Sequence, residues 1–350
     1  MTHAASLRSA REGQHDAPHD APRDGRPAST PRTAPPARTP RPSAHAPMRL
    51  VFARATAASA HHPERNEDAL LLDRQRGLAA VFDGVGGSVA GEVAARLAAR
   101  EIGRGWRRLL AGWHAPGEAH GEAHGEAPPT LDATVDVAAT LASLVSQAHD
   151  AIMRVELPDA PGDERRESGA EDAATTAAVA AITRVRRARG ARVAVAWVGD
   201  SRVYLLRANG PLLRLTSDDG LLAKLVLAGV LSEDDATRID QAVAAEELSD
   251  LDQSLFNRRN GITQSVGGPR PPDVHTALAA LRSGDRLLLC TDGIHDNLTD
   301  RELEQALRRG GRTTAARALV ALARERSCEE SAAAMRAKPD DMTALVISVL

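Results

Sequence analysis

The sequence predicts a layered α+β fold, because segments with strand patterns occur in groups that are separated by groups of helical segments. A doubly wound parallel sheet would instead alternate strand and helix one by one. Neighbouring strands follow each other through short turns, which favours antiparallel pairing. The first six expected strands lie at residues 49–56, 69–73, 78–83, 174–183, 192–198 and 203–207.

Two amphipathic helices are predicted between the third and fourth strands, from apolar residues that recur about once per helical turn. The first helix has its apolar stripe at Val93, Leu97, Ile102, Trp106 and Leu109, and the second at Leu141, Leu144, Ala148, Ile152 and Val155. Between them, residues 117–127 form a Gly-Glu-Ala-His repeat. This repeat indicates a surface insertion, and metal binding by His120 and His124 is the alternative.

The C-terminal part of the sequence predicts a mixed region followed by regular elements. Residues 221–266 are expected to form helices and connections. A strand at 286–290, helices at 300–308 and 313–326, and a closing strand at 342–350 follow. In the strand at 192–198, Val193, Val195 and Trp197 alternate, so we expect them to share one buried face.

Residues 1–47 are predicted to be a disordered tail rather than part of a folded domain. This segment holds nine of the 20 prolines and seven arginines, and it has too few large apolar side chains to form a core. The whole chain has a formal net charge of −3, and removing the basic tail makes the remainder more acidic. We therefore expect residues 48–350 to be the folded part, with no attraction to nucleic acid through bulk charge.

The distribution of apolar residues and cysteines predicts a cytoplasmic protein. No apolar run approaches the roughly 20 residues of a membrane-spanning helix, so no membrane association is expected. The two cysteines, Cys290 and Cys328, do not make a disulfide framework. Lysine occurs only at Lys224 and Lys338, and neither has the glycine-rich context of a P-loop, which argues against a P-loop ATPase or a kinase.

Acidic residues recur at the ends of the expected strands, usually beside glycine. They are Glu67-Asp68, Asp83-Gly84, Gly199-Asp200-Ser201, Asp292-Gly293 and Asp340-Asp341. Carboxylates at the ends of apolar strands are partly desolvated and repel one another, so they need counter-charge. With no lysine expected nearby, hard divalent cations such as Mg²⁺ or Mn²⁺ are the natural candidates, and they can activate a water for attack on phosphorus. The simpler interpretation is that each Asp-Gly pair is only a turn.

These motifs resemble the metal-dependent protein phosphatases of the protein phosphatase 2C type, in their compact bacterial form. The resemblance rests on Arg65-Asn66-Glu67-Asp68, Val81-Phe82-Asp83-Gly84-Val85-Gly86-Gly87, Thr175-Thr176, Val198-Gly199-Asp200-Ser201-Arg202-Val203-Tyr204, Leu215-Thr216-Ser217-Asp218, Leu288-Leu289-Cys290-Thr291-Asp292-Gly293 and Asp340-Asp341-Met342-Thr343, in this order. It spans residues 48–350, which would form the catalytic domain. It implies a four-layer sandwich of two antiparallel β-sheets flanked by helices, a centre of two Mg²⁺ or Mn²⁺ ions, and hydrolysis of phosphoserine and phosphothreonine in the protein substrates of a serine/threonine kinase.

The resemblance also implies roles for single residues. Asp83 matches the aspartate that bridges both metals, Glu67 and the Gly84 carbonyl match ligands of one metal, and Asp292 and Asp340 match ligands of the other. Asp68 matches an acid just outside this ligand set, and it joins Asp83 and Asp292 as an expected catalytic residue. Asp200 matches a ligand of a possible third ion, which Asp292 would help to hold. Ser201, Arg202 and Tyr204 are expected to hold Asp200 in place.

Three positions depart from the family pattern. The family's phosphate-gripping arginine is replaced by Pro63, and Arg65 is the nearest substitute. If this segment were a strand, residues 63 and 65 would share a face, so Arg65 is predicted to bind the substrate phosphate. Ser88 stands where the family has a histidine that is proposed to protonate the leaving oxygen, and Asp341 replaces the more common asparagine.

Three other interpretations of these residues compete with the phosphatase. A dinucleotide-binding turn fails because Val89 stands where a third glycine is required, and a cysteine-based phosphatase fails because neither cysteine has an arginine six residues later. A binding or regulatory module that kept the fold but lost efficient turnover is the remaining alternative. Against it, every matched ligand side chain is still acidic.

Overall fold

The computed structural model describes residues 48–85, 89–113, 128–132, 134–155, 173–185, 190–329 and 335–350. The predicted tail at 1–47, Ser88, and the repeat at 117–127 with His120 and His124 lie outside these residues, so the expectations for them stay predictions. Within the described part, no helix combines the length and the apolar character needed to cross a bilayer.

The strands of the described residues include counterparts of all eight expected strands, together with others that were not expected. They are β1 (Leu50–Ala57), β2 (Ala69–Asp73), β3 (Leu78–Phe82), β4 (Gly84–Val85), β5 (Thr130–Leu131), β6 (Ala174–Thr175), β7 (Ala177–Val185), β8 (Ala191–Val198), β9 (Arg202–Leu206), β10 (Leu212–Arg214), β11 (His275–Leu281), β12 (Arg286–Cys290) and β13 (Met342–Val349). The helices are α1 (Val89–Trp113), α2 (Val137–Ile152), α3 (Leu221–Leu227), α4 (Glu233–Gln241), α5 (Asp250–Asn257), α6 (Asp292–His295), α7 (Asp300–Arg309) and α8 (Ala315–Ser327).

The strands form two main sheets. The first has the order β1-β13-β12-β9-β10, and all of its pairs are antiparallel. The second has the order β11-β8-β7-β3-β2, again antiparallel, and β5 adds to β7 in parallel. β4 and β6 form a separate short ladder beside the second sheet's β3 and β7.

Three apolar cores stack these sheets and helices into four layers. Alternate residues of β3 belong to two different cores. Ala79 and Val81 pack between the two sheets, whereas Leu78, Ala80 and Phe82 face α1 and α2. The outer face of the first sheet packs against α6, α7 and α8. The expected four-layer α+β sandwich is therefore confirmed.

The predicted inward face of β8 is also confirmed, because Val193, Val195 and Trp197 all lie in the core between the sheets. Some boundaries differ from the prediction. The strand expected at 174–183 breaks at Thr176, since β6 turns away to pair with β4. The sequence did not predict the short strands β4, β5 and β10. It also missed β11, an alanine-rich edge strand whose residues are alternately half-buried and exposed up to the buried Leu281.

Helix α7 begins where local side chains satisfy its free N–H groups. Thr299 accepts a hydrogen bond from the backbone N–H of Glu302, and the Glu302 carboxylate accepts one from the backbone N–H of Thr299. Such a capping box fixes the start of a helix.

The helices α3, α4 and α5 belong to a smaller unit with its own core of Ile239, Ala242, Leu248 and Phe256, and we call residues 221–266 the flap.

Candidate metal centre

A cavity of about 280 Å³ opens at one end of the sandwich, where several strands of both sheets end. All six residues predicted as metal ligands line it: Glu67, Asp83, Gly84, Asp200, Asp292 and Asp340. His62, Thr176, Asp341 and the flap residues Asn260 and Ile262 also line the cavity. The fold thus brings together carboxylates that are up to 273 positions apart in the sequence.

Asp83 follows the buried strand β3 and is held by backbone contacts. Its N–H donates to Thr176 Oγ1 at 3.0 Å, and its carbonyl accepts from the N–H of Thr176 at 2.8 Å. A Cβ on Gly84 would lie 2.6 Å from the backbone of Gly91 and 2.8 Å from the Glu67 carbonyl, so only glycine fits there. Burial, together with the charges of Asp292 and other carboxylates, raises the pKa of Asp83 well above its usual range.

Asp292 is the first residue of α6, directly after β12. The chain is crowded at the next position, where a Cβ on Gly293 would lie 2.0 Å from the Asp341 carbonyl oxygen. This close approach brings α6 against the segment that carries Asp340 and Asp341. Asp292 Oδ1 is buried and has no hydrogen-bond partner among the described residues. Such an oxygen is an available ligand.

Lys338 enters the centre, and this corrects the expectation that no lysine lies nearby. Its Nζ lies 2.5 Å from Asp292 Oδ2, 2.8 Å from Asp296 Oδ2 and 3.1 Å from Asp340 Oδ2. Burial would lower the pKa of Lys338, but these three carboxylates raise it, so the side chain stays charged. Lys338 stands two residues before Asp340 in the sequence, but its contact with Asp292 joins segments 46 residues apart, which no local pattern indicates.

Glu67 lies in the segment between β1 and β2, which forms turns and irregular chain. Residues 58–68 contain no strand, so the expectation that positions 63 and 65 share a strand face is wrong. Arg65 Nη2 instead lies 2.6 Å from Glu67 Oε1. Burial raises the pKa of Glu67, and the neighbouring Arg65 partly offsets the shift. Arg65 is therefore placed beside a predicted ligand, although it is not among the residues that line the cavity.

Asp341 positions Glu67 from the opposite end of the chain. Its carboxylate accepts hydrogen bonds from the backbone N–H of Ser59 at 2.8 Å and of Glu67 at 2.6 Å. An asparagine side chain has only one oxygen that could accept these two hydrogen bonds. The aspartate at position 341, which departs from the family pattern, therefore has a structural role. His62 Nδ1 lies 3.7 Å from Asp341 Oδ1 and 3.2 Å from the Arg65 carbonyl oxygen, to which it can donate.

Asp68 lies behind the cavity rather than in its lining. Its Oδ2 accepts a hydrogen bond from Thr291 Oγ1 at 2.8 Å, next to Asp292 in sequence. Burial raises the pKa of Asp68 well above its usual range, despite hydrogen bonds from Thr343 and Thr291 that lower it. This position agrees with an acid just outside the ligand set.

Asp200 lies in the turn between β8 and β9. Burial and the charge of Asp292 raise the pKa of Asp200 well above its usual range, and Lys338 lowers it. Ser201 supports this turn through a 2.7 Å hydrogen bond between its Oγ and Thr176 Oγ1. Arg202, however, reaches away from Asp200 and binds Asp218 and the flap residue Asp240.

The chemistry of the donor set fits hard divalent ions, although the ligand side chains do not surround a single point. Among the described residues, no three Asp, Glu, His or Cys side chains converge closely enough to hold an ion as they stand. Arg65 pairs with Glu67, and Lys338 pairs with Asp292 and Asp340. The donors are all oxygens, Asp292 Oδ1 is unpartnered among the described residues, and burial and mutual repulsion raise the pKa of several of them. Such a group is stabilised by added positive charge.

Solved structures identify the class of fold. The Mycobacterium tuberculosis serine/threonine phosphatase PstP/Ppp superposes with a TM-score of 0.58 at 24% identity, over 86% of this chain and 98% of that one. The catalytic domain of PstP in complex with two manganese ions gives a TM-score of 0.56 at 24% identity, over 87% and 99%. The architecture is that of these bacterial phosphatases.

Sequence comparison then gives the family. A family profile described as protein phosphatase 2C matches residues 57–324, and the chain belongs to this family. The serine/threonine phosphatase stp of Listeria monocytogenes serotype 4b is 31% identical over 117 residues, which are 33% of this chain and 39% of that protein. PstP of Mycobacterium tuberculosis H37Rv is 32% identical over 116 residues, 33% and 19% of the two chains. The matched segments therefore span well under half of these relatives.

Proposed function

We propose that the protein is a serine/threonine protein phosphatase that hydrolyses phosphoserine and phosphothreonine in proteins, with two Mg²⁺ or Mn²⁺ ions at the cavity. The observation that carries this proposal is that all six predicted ligands line one cavity in a chain of the protein phosphatase 2C family. The relatives named as serine/threonine phosphatases, and the related catalytic domain in complex with two manganese ions, support it.

The proposed ligand set divides between two ions. Asp83 would contact both, Glu67 and the Gly84 carbonyl would hold one, and Asp292 through Oδ1 and Asp340 would hold the other. Bound divalent ions supply a water that is acidic enough to attack phosphorus at neutral pH. The protein's part is to fix the carboxylates: Thr176 and Gly84 hold Asp83, and Asp341 holds the backbone of Glu67. Asp68, behind Asp292 and Thr291, would orient this side of the centre.

Two further side chains are proposed to act on the substrate. Arg65 has several N–H donors, so it can bind a phosphate oxygen while one nitrogen contacts Glu67. The serine or threonine oxygen that leaves needs a proton, and His62 is the imidazole among the described residues that line the cavity. With Nδ1 directed to the Arg65 carbonyl, the other ring nitrogen of His62 is available to give that proton.

The proposed partners are phosphorylated proteins that a serine/threonine kinase produces, and the proposed location is the cytoplasm. The net charge of −3 argues against nucleic acid as a partner, and we propose none, and no membrane. Both cysteines are free, which agrees with a reducing compartment.

The experiment compares phosphate release from p-nitrophenyl phosphate and from phosphothreonine peptides, with Mn²⁺, with Mg²⁺ and after chelation by EDTA. Activity should require added metal, and Asp83→Asn should lower turnover by at least about a thousandfold. Asp150→Asn, on the exposed surface of α2, is the matched control and should retain activity. Full activity after chelation would contradict the proposal. No turnover with any substrate, in a chain that still binds metal, would favour the binding-module alternative.

A further inference from the structure

Lys338 is one of only two lysines in the chain, and it is the charged group that three acidic residues of the centre share. Its Nζ contacts one carboxylate oxygen from each of Asp292, Asp296 and Asp340, at 2.5 to 3.1 Å. Asp296 is almost fully buried and was not predicted as a ligand. Three carboxylates around one cation, within hydrogen-bond distance, resemble the oxygen shell of a metal ion more than an isolated surface ion pair.

Hydrogen bonds hold the backbone of Lys338 in place, so its side chain begins at a fixed position beside the centre. Buried Asn297 accepts a hydrogen bond from the Lys338 N–H at 3.0 Å and donates one to the Lys338 carbonyl at 2.9 Å. Asn297 Nδ2 also donates to the Gly293 carbonyl at 2.9 Å, which ties the lysine to the helix that carries Asp292. Pro339 follows and restricts the backbone of Lys338 to extended conformations.

The two oxygens of Asp292 have different environments. Oδ2 contacts the Lys338 ammonium, whereas Oδ1 is buried and has no hydrogen-bond partner among the described residues. The Lys338 ammonium also contacts Asp296 Oδ2, and its charge lowers the pKa of Asp200, which together with Asp292 is the expected ligand pair of a third ion. A fixed positive charge at this place repels a divalent ion and already supplies the counter-charge that these carboxylates need.

We propose that Lys338 is an internal cation that takes the place of a third divalent ion, so that the protein binds two ions and not three. The proposal rests on the proposed function, because it assigns the open oxygen of Asp292 to the two-metal centre. Lys338 is then a positioning residue: it holds Asp292 and Asp340 on the side facing Asp296 and leaves Asp292 Oδ1 for a metal.

The test is the number of Mn²⁺ ions bound per chain, measured by equilibrium dialysis with metal analysis, which does not depend on turnover. The wild-type protein should bind two ions. Lys338→Met keeps the side-chain length without the charge, and it should bind a third ion. Lys338→Arg keeps the charge and should bind two, as should Lys224→Met, which removes the other, exposed lysine.

The outcomes separate the two proposals. A third ion in Lys338→Met, with two in the three other proteins, supports the inference. Two ions in both wild type and Lys338→Met, or three in the wild type, would overturn it while leaving the phosphatase proposal intact. No bound Mn²⁺ in a folded wild-type protein would instead contradict the two-metal phosphatase. If Lys338→Met does not fold, as judged by circular dichroism, Lys338→Gln provides the same measurement.

Discussion

Arg202 allows a test of whether burial determines how much an ion pair contributes to the free energy of unfolding. It lies in β9, two residues after Asp200, and its side chain is 2% exposed. Its Nη2 lies 2.6 Å from Asp218 Oδ2 and 2.9 Å from Asp240 Oδ1, and Nη1 donates to the Tyr204 hydroxyl at 3.2 Å. Because Asp240 belongs to α4, this arginine joins the central sheet to the flap.

Replacing Arg202 by methionine removes the charge and leaves one carboxylate partner, Asp240, buried and the other, Asp218, half-buried. Breaking one side of a buried ion pair costs about 3–5 kcal/mol, because the remaining charge lacks both water and a partner. Asp218 keeps a second arginine, Arg214, whereas the hydrogen bond that the Asp240 carboxylate keeps, within the described part of the chain, comes from the neutral amide of Gln241. The lower end of that range, about 3 kcal/mol, is therefore expected. For a unit of residues 47–350 this corresponds to a fall in Tm of about 5 °C.

The matched control is Arg238→Met. Arg238 also contacts two carboxylates, Asp235 and Asp252, both at 3.2 Å, but its side chain is 46% exposed. Exposed pairs of this kind contribute little, so the Tm should hardly change. Thermal unfolding at pH 7, followed by circular dichroism, measures both variants. Equal falls in Tm for the two variants, or no fall for Arg202→Met, would refute the argument that burial sets the cost.

The pH dependence of the Arg202→Met effect gives a second readout. Burial alone would raise the pKa of Asp218 and Asp240, but Arg202 lowers the pKa of both below the usual range. Carboxylates with a depressed pKa stabilise the fold above their unfolded-state pKa, about 3.9, and lose that contribution as the pH falls below it. The difference in Tm between wild type and Arg202→Met should therefore have its full size near pH 7 and become smaller below about pH 4. A difference that stays constant would contradict this assignment.

Two further predictions concern the substrate. Arg65→Ala should raise KM for a phosphothreonine peptide, and Ki for inorganic phosphate, by about tenfold, because a guanidinium that binds phosphate is lost. The affinity for Mn²⁺ should not fall, since the removed charge lies beside the ligand Glu67, and an unchanged KM would exclude Arg65 from the substrate site. His62→Gln should lower kcat for the peptide by about a hundredfold but hardly affect p-nitrophenyl phosphate, whose leaving group needs no proton. The exposed neighbour provides the control His61→Gln, and equal losses for both substrates would rule out His62 as the proton donor.

The strand and helix pattern could be predicted because it is local. The strands at 69–73 and 286–290 are found as expected, since short apolar runs bounded by turn residues carry a clear signal. The edge strand β11 was missed, because three of its seven residues are alanines with weak strand preference and its structure comes from pairing with β8. The break at Thr176 also depended on a partner, namely the short strand β4.

The sequence by itself determined the positions of the seven acidic residues at strand ends, and six of them, all but Asp68, line one cavity. It did not determine how the positive charges pair with them: Arg65 and Lys338 each stand two residues from a predicted ligand, but the local sequence does not show which carboxylates their side chains reach. The fold brings Lys338 to Asp292, sets Arg65 against Glu67 in a loop that was expected to be a strand, and brings His62 to the cavity. The physical reason is that backbone patterns are set by neighbours within a few residues. The charge balance of the centre, in contrast, depends on which side chains meet when the two sheets pack together.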